Sequence, residues 1–118
     1  MSLAITSRLV SGVVIVDMTG KLRFLEVTLR ERISALLEAG HHDFVLNLAS
    51  VPYIDSFGLG QLITIWTSIE SGGGHLTLLR PTQVRKLFQI TNLDSIFHIS
   101  EEEADAVRSA QGNAAASA

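Results

Sequence analysis

Apolar and polar positions along the chain change period several times, and each change marks an element. Leu3, Ile5, Leu9 and Val10 alternate loosely with polar residues, Ser11-Gly12 makes a turn, and Val13-Val14-Ile15-Val16-Asp17-Met18 is a strong β run. Two strands joined by so short a polar turn predict a hairpin. From Phe24 to Ala39 the apolar residues Leu25, Leu29, Ile33, Leu36 and Leu37 fall on one helix face, and Gly40 suits a left-handed helix end. Phe44 to Leu48 is almost continuously apolar, the pattern of a strand covered on both faces. Leu59, Leu62, Ile63, Trp66 and Ile69 then recur at helical spacing from Phe57 to about Ser71, with Trp66 read as core. Gly72-Gly73-Gly74 breaks that helix, and His75 to Leu79 reads as the next strand.

Pro81 suits the first turn of a third helix through Val84, Leu87, Phe88 and Ile90, with Asn92 as a left-handed stop. Ser95 to Ile99 reads as a last short strand. Ser100-Glu101-Glu102-Glu103 has the form of a capping box opening a final helix to about Ala110. The order β-β-α-β-α-β-α-β-α predicts an α/β domain with a mixed, mainly parallel sheet of four to five strands. Its three principal helices carry single apolar stripes and are expected mostly on one side, with Leu29, Ile33, Leu62, Ile63, Trp66, Leu87 and Phe88 buried. Residues 1–110 form the expected domain, and 111–118 a frayed tail.

Composition narrows the function classes. A chain of 118 residues is one domain, and 47% hydrophobic against 18% charged residues marks it as globular. A net charge of −3 with scattered Lys and Arg argues against a nucleic-acid surface. The absence of cysteine excludes disulfides, thiol catalysis and cysteine metal sites. No basic region followed by an apolar stretch opens the chain, and the apolar run near Trp66 is interrupted by Gln61, Thr64 and Thr67. A soluble, cytoplasmic protein without a membrane span is the expectation.

Candidate chemistry concentrates in one place. The segment from Asn47 to Gly60 runs from a buried strand through a short loop into Asp55-Ser56 at the head of an apolar helix. Ser56 there exposes a hydroxyl beside the first helix N–H groups, a place where a phosphate can be added and held. A simple helix cap is the plainer function for Asp55 or Ser56.

Four stretches together resemble the STAS family, the domain of bacterial anti-sigma factor antagonists. Thr19-Gly20-Lys21-Leu22 is similar to its T-G-x-L turn, and Val45-Leu46-Asn47-Leu48 to its third strand. Ile54-Asp55-Ser56-Phe57-Gly58-Leu59-Gly60 resembles its D-S-x-G-L-G signature, and 80–93 its third-helix segment. The resemblance implies a binding protein rather than an enzyme, with no cofactor or metal. It implies that Ser56 is phosphorylated by an anti-sigma factor that is also a serine kinase, and that a serine phosphatase can reverse this. Asp55, Phe57, Gly58, Leu59 and Arg23 become partner-facing candidates, on a monomer or weak dimer. Arg23 stands where the family usually has Asp, and Phe57 where a small hydroxyl residue commonly follows the acceptor. Both changes imply a divergent partner surface or a member outside the sigma-factor circuit. Gly58 and Gly60 admit two readings, close approach of a partner or packing of the helix on its own sheet.

Other readings carry less. A hydrolase elbow requires Gly two positions before the Ser, and Ile54 stands there. Gly72-Gly73-Gly74 leads from a helix into a strand, the reverse of a phosphate loop. His41-His42 are adjacent, share no face and have no patterned third ligand. His75 and His98 read as structural, and the Glu101-Glu102-Glu103 run as acids favoured in a first helical turn. A non-phosphorylated scaffold subunit of a stress-signalling or transport complex remains the alternative within the same fold.

Overall fold

The structure is a computed structural model that describes residues 3–23 and 26–112. Strands β1 (Ala4–Val10) and β2 (Val13–Thr19) form the expected hairpin. They are followed by α1 (Thr28–Glu38), β3 (Asp43–Ser50), α2 (Ser56–Ser71), β4 (His75–Leu79), α3 (Arg85–Ile90), β5 (His98–Ser100) and α4 (Glu103–Ala110). The five strands lie in sequential order, β1 antiparallel to β2 and every later pair parallel. Gly40 takes φ +97° after α1, and Asn92 takes φ +63° after α3, as their positions in the sequence predict.

Sequential order explains where the helices go. Each crossover from β2 to β5 steps in the same direction across the sheet, and right-handed crossovers then put α1, α2 and α3 on one face. There Leu29, Ile33, Leu62, Ile65, Ile69 and Phe88 pack on alternate strand residues, among them Val14, Val16, Phe44, Leu46, Leu76 and Leu78. The final helix follows the last strand and is bound by no crossover rule. It covers the opposite face, where Ala106, Val107 and Ala110 meet Val13, Ile15, Val45 and Leu79. Thr77 and Ser109 join this second interface through a buried hydroxyl–hydroxyl hydrogen bond of 2.9 Å.

The inward face of α2 differs from the sequence reading. Its buried residues are Gly58, Leu62, Ile65 and Ile69, whereas Ile63 is 40% exposed and Leu59 and Trp66 are half-buried. Every third or fourth residue of this helix is apolar through most of its circumference, so periodicity alone leaves its rotation open. Close packing at Gly58 turns the helix, and Ile63 moves outward. Trp66 still contacts the core, edge-on to Phe97 with ring centroids 6.1 Å apart. Leu87 is likewise half-buried, while Phe88 is fully buried.

Element boundaries also move. Pro81 does not enter the first turn of α3. Arg80 extends the sheet pairing by donating its N–H to the Ser100 carbonyl and turns with φ +49°, so 81–84 form a separate turn before the helix. Leu93–Ser95 forms a 3-10 turn, with the Ser95 hydroxyl donating to the Asn92 carbonyl at 2.7 Å, and the last strand therefore starts at His98. Ser100 lies in β5 and makes no capping box. Glu102 is the N-cap of α4, without a side-chain cap bond, and Glu103 and Asp105 are the acids of its first turn.

The predicted helical positions 24 and 25 lie outside the described residues, as does 113–118 of the predicted tail, while Glu26 and Val27 precede α1, which starts at Thr28 with Val27 as its N-cap. Gln111 is described. Its amide donates to the Ser11 carbonyl at 2.9 Å, tying the end of α4 to the β1–β2 turn.

Candidate functional site

Two neighbouring segments build the site at the C-terminal end of the parallel strands. After β2, Gly20 turns with φ +117° and donates its N–H to the Ser50 carbonyl at 3.1 Å. Leu22 then forms a one-residue parallel bridge with Ile54. Its N–H donates to the Tyr53 carbonyl at 3.0 Å, and its own carbonyl accepts from the Asp55 N–H at 3.1 Å. Leu22, Val51 and Ile54 are buried beneath this bridge. Three apolar anchors and three backbone bonds thus hold the loop before α2 with little freedom of its own.

Asp55 is the N-cap of α2. It has extended backbone angles, and its carboxylate accepts from the Gly58 N–H at 2.8 Å. The capping function considered for either residue therefore falls to Asp55, and Ser56 becomes the first residue of a 16-residue helix, exposed at its positive end. Phe57 is 59% exposed. Leu59 is half-buried.

Gly58 is buried because the backbone of the preceding turn lies against it. A Cβ built there would sit 2.3 Å from the Leu22 carbonyl oxygen, whereas one on Gly60 would meet open space. Of the two glycine readings, packing of the helix on its own scaffold thus applies at Gly58. Gly58→Ala is expected to lower stability by about 1–3 kcal/mol, because the atom in the way is backbone and cannot rotate aside. Gly60→Ala should leave the melting temperature unchanged or raise it slightly through better helix propensity. Paired thermal melts check this, and equal melting of the two variants would show that the contact with Leu22 relaxes at no cost.

Arg23 follows Leu22 directly and is exposed, as is Lys21. Both cations leave the same turn that bonds to Asp55. Tyr53, 49% exposed, adds an aromatic surface that the sequence reading passed over. Its signal was available in the loop itself, an aromatic between two apolar positions, Val51 and Ile54, that turn inward.

Three of the chain's four histidines stand away from Ser56. His41 and His42 precede β3 and His75 opens β4, all at the opposite end of the parallel strands from the loop that follows β3. Strands of five to eight residues separate those ends by roughly 16–26 Å. His75 is engaged with Asp43, Nδ1 to carboxylate oxygen 3.0 Å. Among the described residues no three potential ligands are grouped to hold a metal ion, and none of the described helices is long and apolar enough to cross a membrane.

A second polar cluster, on the α4 face, was not legible in the sequence beyond the polar breaks at Asp17 and Asn47. Arg8 on β1 bonds Asp17 at 2.8 Å and Glu103 at 2.6 Å, and the Asn47 amide donates to Asp17 at 2.8 Å. The Arg8 guanidinium holds both carboxyls below their ordinary range, with Asn47 contributing at Asp17. The cluster ties β1, β2, β3 and α4 together and leaves no reactive group unpaired for chemistry.

Comparison with known proteins places this geometry among its relatives. The STAS domain model matches residues 4–106. The TM1081 homologue of Thermotoga neapolitana is 38% identical over 77 residues, 64% of this chain and 68% of that protein. The crystal structure of TM1081 from Thermotoga maritima superposes with TM-score 0.81 at 30% identity, over 91% of this chain and 94% of that one. The anti-sigma-B factor antagonist of Staphylococcus epidermidis is 32% identical over 74 residues, 62% of this chain and 68% of that protein. The Bacillus cell fate determinant SpoIIAA, solved in its phosphorylated form, is 25% identical with TM-score 0.67, covering 86% of this chain and 96% of that one.

Proposed function

This chain belongs to the STAS-domain family, and from that premise we propose that it is an anti-sigma factor antagonist switched by phosphorylation of Ser56. It is a regulatory binding protein and not an enzyme. The unphosphorylated surface around Ser56 binds an anti-sigma factor that is also a serine kinase, in the cytoplasm, and so frees a sigma factor. Asp55 positions the acceptor by capping α2, while Arg23, Phe57 and Leu59 contribute to the docking face and Gly58 keeps the helix seated beneath it. In the switching step the γ-phosphoryl group of ATP passes to the Ser56 hydroxyl oxygen. The new O–P bond forms as the bond to ADP breaks, and the hydroxyl proton goes to a base on the kinase. A serine phosphatase restores the hydroxyl by hydrolysis.

One observation carries the reading. Ser56 is an exposed hydroxyl at the first position of a long helix, on a loop held by buried Leu22 and Ile54. A kinase can reach it, and the domain beneath has no need to rearrange when charge is added. Relatives that include an antagonist of anti-sigma-B factor and a phosphorylated form of SpoIIAA support the same reading.

The direct test is incubation with a candidate anti-sigma kinase and ATP, followed by mass spectrometric mapping. A single phosphate on Ser56 is the expected product. Stable binding of that kinase with no phosphate on Ser56 would assign the chain to the non-phosphorylated scaffold class instead.

A further inference from the structure

We propose that Arg23 is the residue that receives a phosphate carried by Ser56, and that this contact withdraws it from the partner-facing surface. The inference rests on the reading of Ser56 as a modified residue and adds how the modification is registered.

The geometry begins at one hydrogen bond. The Leu22 carbonyl accepts from the Asp55 N–H, and the residues that follow its two ends are Arg23 and Ser56. Leu22 and Ile54 pair as residues of neighbouring strands do, which sets the two backbones about 4.8 Å apart at that pair. Leu22 is fully buried, and the residues that follow the bridge, Arg23 and Ser56, are both exposed. A fully extended Arg side chain is longer than that backbone spacing.

The local charge suits the assignment. Lys21 and Arg23 are exposed cations on one turn, and the neighbouring Asp55 carboxylate is engaged with the Gly58 N–H. A serine phosphate carries about −1.5 to −2 charges and three strong acceptors, which a planar guanidinium meets with two parallel N–H donors. Lys21 adds attraction as a point charge without that fork. Phosphorylation consequently reverses the sign of the charge around Ser56. It also binds in cis the cation that would otherwise face carboxylates on a partner. The position that departs from the family pattern thus couples the modification to the docking surface.

The test needs no kinase. Phosphoserine is placed at position 56 by codon reassignment, and the second ionisation of the phosphate is followed by phosphorus NMR. With Arg23 in contact, the phosphate is expected to hold its second proton less tightly than the solvated group, which loses it near about pH 6. Arg23→Gln should raise that ionisation by roughly 0.5 in pH, about threefold in proton affinity. The end of α2 acts equally in both proteins, so the difference belongs to Arg23. Arg108→Gln, on the helix of the opposite sheet face, should change nothing. An unchanged titration in Arg23→Gln, or an equal change in Arg108→Gln, would overturn the assignment. Because the phosphate is installed without enzyme, this result stands apart from whether a kinase modifies Ser56.

Discussion

Ser56→Asp is expected to bind the partner kinase at least roughly thirtyfold more weakly than the wild-type chain while melting at nearly the same temperature. Both halves follow from where the residue sits. In the isolated domain Ser56 is exposed at the positive end of α2, and an acid at the first helical position is neutral to mildly favourable, by about 0.3–1 kcal/mol. In the complex that the proposed function requires, the hydroxyl would be covered by a surface shaped for a neutral group. An unpaired carboxylate buried there costs about 2–5 kcal/mol, which is the stated loss in affinity. Ser56→Ala should bind as the wild type does and resist release by ATP, giving a permanently active antagonist. Calorimetric titration of the three proteins against the kinase, with melting curves alongside, separates binding from folding. Equal affinity of the Asp variant would place the partner surface elsewhere on the domain.

Phe88→Ala should have the largest effect on folding, a loss of about 3–5 kcal/mol. Phe88 is 1% exposed and meets Phe97 edge-on at 5.9 Å, and Phe97 in turn meets Trp66. The six-residue helix α3 is too short to persist by its own hydrogen bonds, and Phe88 is its one fully buried side chain, with Val84 and Leu87 also packed on the core. Removing the ring leaves a cavity beneath α3, beside Phe97. Urea unfolding followed by the fluorescence of Trp66, the single tryptophan of the chain, should show a lower midpoint with an unchanged slope. A loss below about 1 kcal/mol would mean that α3 collapses onto the vacated space or is held by other contacts.

These effects trace to different levels of information. The apolar runs at 13–18, 44–48 and 75–79 made three strands legible, because a continuous β-branched or alternating run has few other stable conformations. Gly40 and Asn92 announced their left-handed turns, since few other residues adopt positive φ at low cost. The Asp55-Ser56 pair at a helix head also stood out, because a cap is a local interaction spanning three residues.

What only the tertiary structure decided is the phase and partnership of those elements. Helix α2 was legible as apolar, yet its contact with Leu22 at Gly58 selects Ile65 over Ile63 as the inward residue. A period establishes that a helix has a face, and packing between segments distant in sequence chooses which one. The same holds for α4 on the far face of the sheet, for Arg80 delaying α3, and for Arg8 joining Asp17 to Glu103. The candidate site obeys this division. Ser56 and its cap are written in consecutive residues, whereas Arg23 lies more than thirty positions earlier and comes beside them only through the bridge between Leu22 and Ile54.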